Sequence, residues 1–245
     1  MEAVIVAAES KKARSRAGNG RTQPQRSKGS VQDQVYSELR RALMIGRFLP
    51  GQGTTLRALA ADLGVSLMPV RAALPYLIAE GGFEMLPNRS VRVPLMTSER
   101  LEELIAVRVE LEGLATAQAC RRMTEAELAA LDKIHRRTMR LIDEHRPADI
   151  LVANQSFHFT LYGFARSWIL MPMIETLWLR AGPFINLAQK SPGIQFDGRH
   201  HVDLMHALAR RDAAAARRAV ERDIAMAGQN LRKTRIFSTP RQAAQ

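Results

Sequence analysis

The chain has 245 residues, 46% of them hydrophobic, and a formal charge of +12 at pH 7. Its one cysteine, Cys120, excludes an intrachain disulfide and any Cys-x-x-Cys zinc site, as expected of a cytoplasmic protein. No apolar run approaches the roughly 18 residues of a membrane span, and the positive charge favours a polyanionic partner, nucleic acid before membrane.

Residues 1–30 carry seven Lys/Arg against two Asp/Glu. Their polar, Gly/Ser-rich composition reads as a disordered basic tail, and "MEAVIVAAESKK" lacks the basic start of a signal peptide. Patterning begins at Val31: Val31, Val35, Leu39, Leu43 and Met44 share a helical stripe that Gly46 ends. "RFLPGQGTT" reads as a turn. Thr55 caps a short helix that Gly64 ends, and Ser66 caps a third, closed by Gly81-Gly82. Pro69 falls in the first turn of that helix, where backbone N–H groups lack intrahelical partners anyway. Pro75 falls in its interior, frees the Arg71 carbonyl, and predicts a bend. "FEMLPNRSVRVPLM" gives two short strands around the turn "PNRS". Three helices and a β-hairpin, with a three-residue turn between the second and third helices, form a winged helix-turn-helix over 31–96. A purely structural helical bundle is the competing reading of these residues.

Beyond Pro94 the pattern is helical throughout. Thr97 or Ser98 caps a long helix reaching Met123, and further helices read over 124–145, 148–165, 168–188, 197–210 and 212–233. Pro147, "RSW" and "SPGIQFDG" supply breaks. Residues 97–234 are therefore an all-α bundle of about six helices, 235–245 a frayed tail, and the fold class is mainly α. No HExxH, G-x-G-x-x-G or phosphate-binding glycine loop occurs, which argues against the commonest metalloprotease and nucleotide chemistries.

Within this frame some side chains suit particular chemistry. Arg71, one turn into the third helix, can pair bidentately with guanine or clamp a phosphate; a surface ion pair is the plainer alternative. Ser66 can offer its hydroxyl or backbone to a phosphate. Leu67 and Met68 can meet thymine methyl groups, and Asn88 and Arg89 form the hairpin tip. In the second part, Asn154 and His158 lie four apart on one helix face, where a hydrogen-bonded core histidine is the alternative to a ligand. Arg108 precedes Glu112 by four, the spacing of an intrahelical ion pair.

Together these runs resemble a known family. Leu59-Ala60, Gly64-Val65-Ser66, Pro69-Val70-Arg71 and Ala73-Leu74 resemble the winged helix of GntR-type bacterial transcription regulators. "AVRVELEGLA", "NQSFHFTLY", "LWLRAGP" and "HHVDLMHALARRDAAAARRAVERDI" resemble the ligand-binding FCD domain of the FadR branch, so the match spans about 30–233. The resemblance implies a homodimeric, non-enzymatic repressor that binds a double-stranded DNA operator under the control of a small organic acid. It also implies that Arg57 joins Arg71 in contacting DNA. Asn154, His158, His201 and Asp223 stand at the four positions of the family's divalent-metal site, where metal-binding members usually carry one Asp and three His. The Asn and Asp oxygens are harder donors than imidazole, so among Mn, Ni, Zn and Mg they disfavour a structural zinc. Arg108 and Arg180 stand where the effector would be met. The chain departs from the family at Leu67, where some members have arginine, and at Pro75. Two rival readings remain at this point. One is a metal-dependent enzyme on the bundle, which lacks an acid/base pair beyond the ligand set. The other is a non-specific nucleic-acid binder driven by charge.

Overall fold

The computed structural model describes residues 29–189, 191, 198–234 and 237. The tails expected over 1–30 and 235–245 lie outside these residues apart from Gly29, Ser30 and Phe237, as do residues 192–197 of "SPGIQFDG".

Helix α1 (Val31–Met44) opens on a capping box: the Ser30 hydroxyl accepts from the Asp33 N–H, and the Asp33 carboxylate accepts from the Ser30 N–H. Val35, Leu39 and Leu43 of its stripe are buried. Helix α2 (Leu56–Leu63) is capped by Thr55 and ends at Gly64, which takes φ 64, a left-handed conformation that costs glycine nothing. Val65 and Ser66 complete the turn, and α3 (Leu67–Ala79) leaves at 113° to α2, within the range of DNA-binding helix-turn-helix pairs. Ser66 occupies the N-cap position, but its hydroxyl makes no capping bond.

Helix α3 continues through Pro75 to Ala79. Pro75 and Arg71 are both exposed, so the carbonyl that loses its partner turns toward water rather than into the core. Pro75→Ala restores an interior helical bond and should stabilise the fold by up to about 3 kcal/mol. A thermal melt of full-length protein checks this; an unchanged or lower midpoint counts against it.

The wing has three strands, one more than expected. β1 (Gly53–Thr54), β2 (Glu84–Met85) and β3 (Val91–Arg92) form an antiparallel sheet in the order β1-β3-β2. Gly53 and Glu84 both pair with Arg92, and Thr54 and Met85 with Val91. Part of the stretch read as a turn after α1 is thus a strand too short to show periodicity.

The remainder is helical: α4 (Ser98–Arg122), α5 (Glu125–Asp143), α6 (Pro147–Gly163), α7 (Leu170–Gln189), α8 (Arg199–Ala209) and α9 (Ala213–Lys233). Pro147 starts α6 at a position where its missing N–H costs nothing. Thr124 and Glu127 form a second capping box at α5.

One apolar core runs through both parts, from Val35 and Leu74 to Ile174, Leu208 and Ile224. The junction is α7 against α1. At Gly182 a Cβ would run into the backbone of Leu43 and Met44, so only glycine lets the two helices approach this closely. Polar bonds fix the register: Asn186 Nδ2 donates to the Gly46 carbonyl (2.5 Å), and Arg40 reaches both Glu80 (2.9 Å) and Glu175. The Tyr36 hydroxyl also donates to Glu80; burial and that carboxylate push its pKa to about 12. Among the described residues no single helix is long and apolar enough to cross a membrane.

Candidate functional site

The first candidate surface is the helix-turn-helix with its wing. Arg57 on α2, Ser66 at the α3 N-cap, and Met68 and Arg71 in the first turns of α3 are all exposed, Met68 at 65%; Leu67 is half-buried. Val70, Ala73, Leu74 and Leu77 anchor the opposite face of α3 in the core. No ion pair engages Arg57 or Arg71 among the described residues, which leaves both guanidiniums for an external anion. At the wing tip, Asn88 Oδ1 accepts from the backbone N–H (3.0 Å) and hydroxyl (2.6 Å) of Ser90. Arg89 follows at φ 62, the left-handed position that completes such hairpin loops, and its side chain is exposed.

The second candidate is a buried polar cluster within the bundle. His158 and Asn154 come from α6, His201 from α8 and Asp223 from α9. The ligand atoms of His158, His201 and Asp223 all lie within 4.8 Å of one another. His158 Nε2 is 3.2 Å from Asp223 Oδ2 and 3.2 Å from His201 Nε2. Asn154 is 7% exposed, and its Oδ1 is buried without a hydrogen-bond partner. Phe157 stacks on the His201 ring, centroids 4.3 Å apart.

A second layer of residues orients His158, and apart from the Arg108–Glu112 spacing no sequence motif announces it. The Tyr162 hydroxyl lies 2.7 Å from Glu112 Oε2 and 3.1 Å from His158 Nδ1. A carboxylate can only accept, so the phenol O–H donates to Glu112 and its oxygen accepts from His158 Nδ1–H. That tautomer turns the His158 Nε2 lone pair toward Asp223. Two acceptor atoms at 3.2 Å need a cation between them, either a proton on the imidazole or a metal ion. Glu112, with no exposed surface, also accepts from Trp178 Nε1 (2.8 Å) and Arg108 Nε (2.7 Å). Arg108 lies over the Trp178 ring at 5.0 Å.

Electrostatics sort the donors. Burial, then repulsion from His158, lowers the His201 pKa to about 3, so its imidazole is neutral. Burial raises the Asp223 pKa, but a protonated His158 donating to the carboxylate outweighs it and holds the carboxyl at about 2. A neutral imidazole at His201 and an ionised carboxylate at Asp223 are the protonation states a divalent cation requires, and a cation in place of the His158 proton would meet the Nε2 lone pair. The set therefore fits such an ion.

The two effector candidates are placed differently. Arg108 is 5% exposed and already paired with Glu112, the intrahelical contact its spacing allows. Arg180 is exposed and faces the winged helix, where its Nε donates to the Glu80 carbonyl (2.8 Å).

Comparison with known proteins agrees with this architecture part by part. The model of the gntR family of bacterial regulatory proteins matches residues 31–93, and that of the FCD domain matches residues 103–226. The transcriptional regulator McbR of Escherichia coli K12 is 30% identical over 175 residues, covering 71% of this chain and 79% of McbR. The transcriptional repressor RspR of the same organism is 23% identical over 207 residues, covering 84% and 90%. The solved structure of E. coli McbR superposes with a TM-score of 0.78 at 28% identity, covering 84% of this chain and 98% of that one. A GntR-type structure from Rhodococcus sp. RHA1 gives 0.69 at 21% identity over 83% and 98%. A helix-turn-helix with its wing, followed by a helical domain of matching order, makes this chain a member of the GntR family of the FadR type: a DNA-binding transcription regulator, not an enzyme.

Proposed function

We propose that the protein is a cytoplasmic, homodimeric repressor whose grip on its operator is set by a small organic acid bound beside a divalent metal ion. Asn154, His158, His201 and Asp223 hold the ion, of the Mn, Ni, Zn or Mg class. The observation that carries this reading is the facing of two acceptors, His158 Nε2 and Asp223 Oδ2, at 3.2 Å in the bundle, with Asn154 one helical turn before His158 and its Oδ1 buried without a hydrogen-bond partner. Arg108 and Glu112 neutralise each other, so the carboxylate of the acid goes to the cation, with Arg108 steadying the wall behind it. Arg180 acts at the junction of the two domains.

Each chain presents one recognition helix, and two copies read a two-fold operator: Arg71 and Met68 at base edges, Arg57, Ser66, Leu67, Asn88 and Arg89 nearby. Helix α7 links the two sites. Its Trp178 bonds the polar cluster, and its Glu175 and Arg180 bond the winged helix. A ligand that moves α7 thereby shifts the DNA-reading elements, provided it binds the two arrangements unequally. The repressor sense draws on the name of RspR.

Elemental analysis of protein purified without chelator, joined to footprinting on its own upstream region, tests the reading. About one metal ion per chain is expected, lost in His158→Ala and His201→Ala, with protection altered by one of a panel of small carboxylates. Sub-stoichiometric metal throughout means that a proton bridges His158 and Asp223 instead, and overturns the metal part of the proposal.

A further inference from the structure

A cavity of about 610 Å3 lies between the two domains, separate from the buried cluster. One wall comes from the end of α3 and the wing, with Phe83 and Leu95; the other from α4 and α7, with Leu104 and Phe184. Its volume falls in the range of small-molecule sites, and those four side chains give it an apolar floor.

The polar groups on its lining are Glu84, Glu103, Arg100 and Arg180. Glu84 is already paired with Arg92. Neither Arg100 nor Arg180 has a carboxylate partner among the described residues, and Arg180 spends only its Nε on the Glu80 carbonyl. Two guanidiniums against the single uncommitted carboxylate of Glu103 leave one net positive charge beside an apolar floor.

We infer that this cavity is a second effector site, which takes an amphiphilic monoanion: a carboxylate or sulfonate on Arg100 and Arg180, with its apolar body against Phe83, Leu104 and Phe184. A bidentate guanidinium–carboxylate pair supplies orientation, and the buried apolar body supplies most of the affinity. Such a ligand touches the continuation of the recognition helix and the wing directly. It therefore acts on DNA binding without passing through the cluster around His158.

The test uses full-length protein with anilinonaphthalene sulfonate as a fluorescent monoanion and decanoate as its competitor. Saturable binding of about one dye per chain, displaced by decanoate, is expected. Arg100→Gln, an exposed change that leaves the fold alone, should weaken both at least fivefold. Leu104→Trp, which fills the cavity, should abolish them, with a thermal melt to confirm folding. His158→Ala should leave both unchanged, and this separates the proposal from the metal reading. Non-saturable dye binding, no binding, or equal binding in Arg100→Gln overturns it. So does dye binding that falls as protein concentration rises, which would mean that a second copy covers the cavity.

Discussion

Glu112→Gln should destabilise the protein by about 3–5 kcal/mol, a fall in melting temperature on the order of 10 °C for a chain of this size. The carboxylate has no exposed surface and serves three donors: the Arg108 guanidinium, the Tyr162 hydroxyl and the Trp178 indole. Glutamine keeps the shape and can keep two of these bonds through its carbonyl oxygen. It cannot neutralise Arg108, which is 5% exposed and would remain charged without a partner. Removing one member of a buried pair costs far more than removing both, so the double variant Arg108→Met with Glu112→Gln should recover much of the loss. If the double variant is as unstable as the sum of the single ones, the effect is packing and not charge. Tyr162→Phe, by contrast, removes the hydroxyl that fixes the His158 tautomer and should weaken metal binding 10–100-fold without stranding Arg108.

That network was the least legible part of the sequence, and the reason is geometric. Glu112, Tyr162 and Trp178 sit on α4, α6 and α7, joined only when three helices pack. No local spacing announces such a contact. One local sign existed: Tyr162 follows His158 by four, as His158 follows Asn154, so all three share a face of α6. The helices were most legible where an apolar stripe meets a cap: Ser30, Thr55, Thr97 and Thr124 all bond as N-caps, whereas α3, α6 and α8 have no side-chain cap. Ser66 stands where a cap should stand yet does not bond, and its free hydroxyl is what a phosphate-contacting serine needs. Strand β1 escaped notice because two residues have no periodicity, and only pairing with β3 defines them. The four metal positions were readable from the resemblance alone. The approach of His158, His201 and Asp223 to one another, and the His158 tautomer set by Tyr162, required the fold.

Arg71→Ala should reduce operator binding to the level of non-specific DNA. Arg71 is exposed on the first turns of α3, opposite the face that Val70, Leu74 and Leu77 bury. No internal ion pair holds it, so the substitution should leave thermal stability within about 0.5 kcal/mol. A bidentate arginine–guanine contact contributes about 1–3 kcal/mol of discrimination. In a dimer on a two-fold site both half-sites lose it, for a combined loss of about 2–6 kcal/mol, roughly 30-fold to more than 10,000-fold. Neighbouring Leu67 and Met68 offer only apolar contacts, so they cannot replace the lost hydrogen bonds. Arg57 provides the contrast. If it meets a phosphate, Arg57→Ala weakens all sequences alike and lowers the salt dependence by about one counterion per contact. Gel-shift titration of operator and scrambled DNA across a salt series separates the two roles. Unchanged operator affinity for Arg71→Ala at fixed salt would remove α3 from base readout. Equal losses on both DNAs would make Arg71 a phosphate clamp, and specificity would then have to come from Met68, from the wing, or from the deformability of the operator itself.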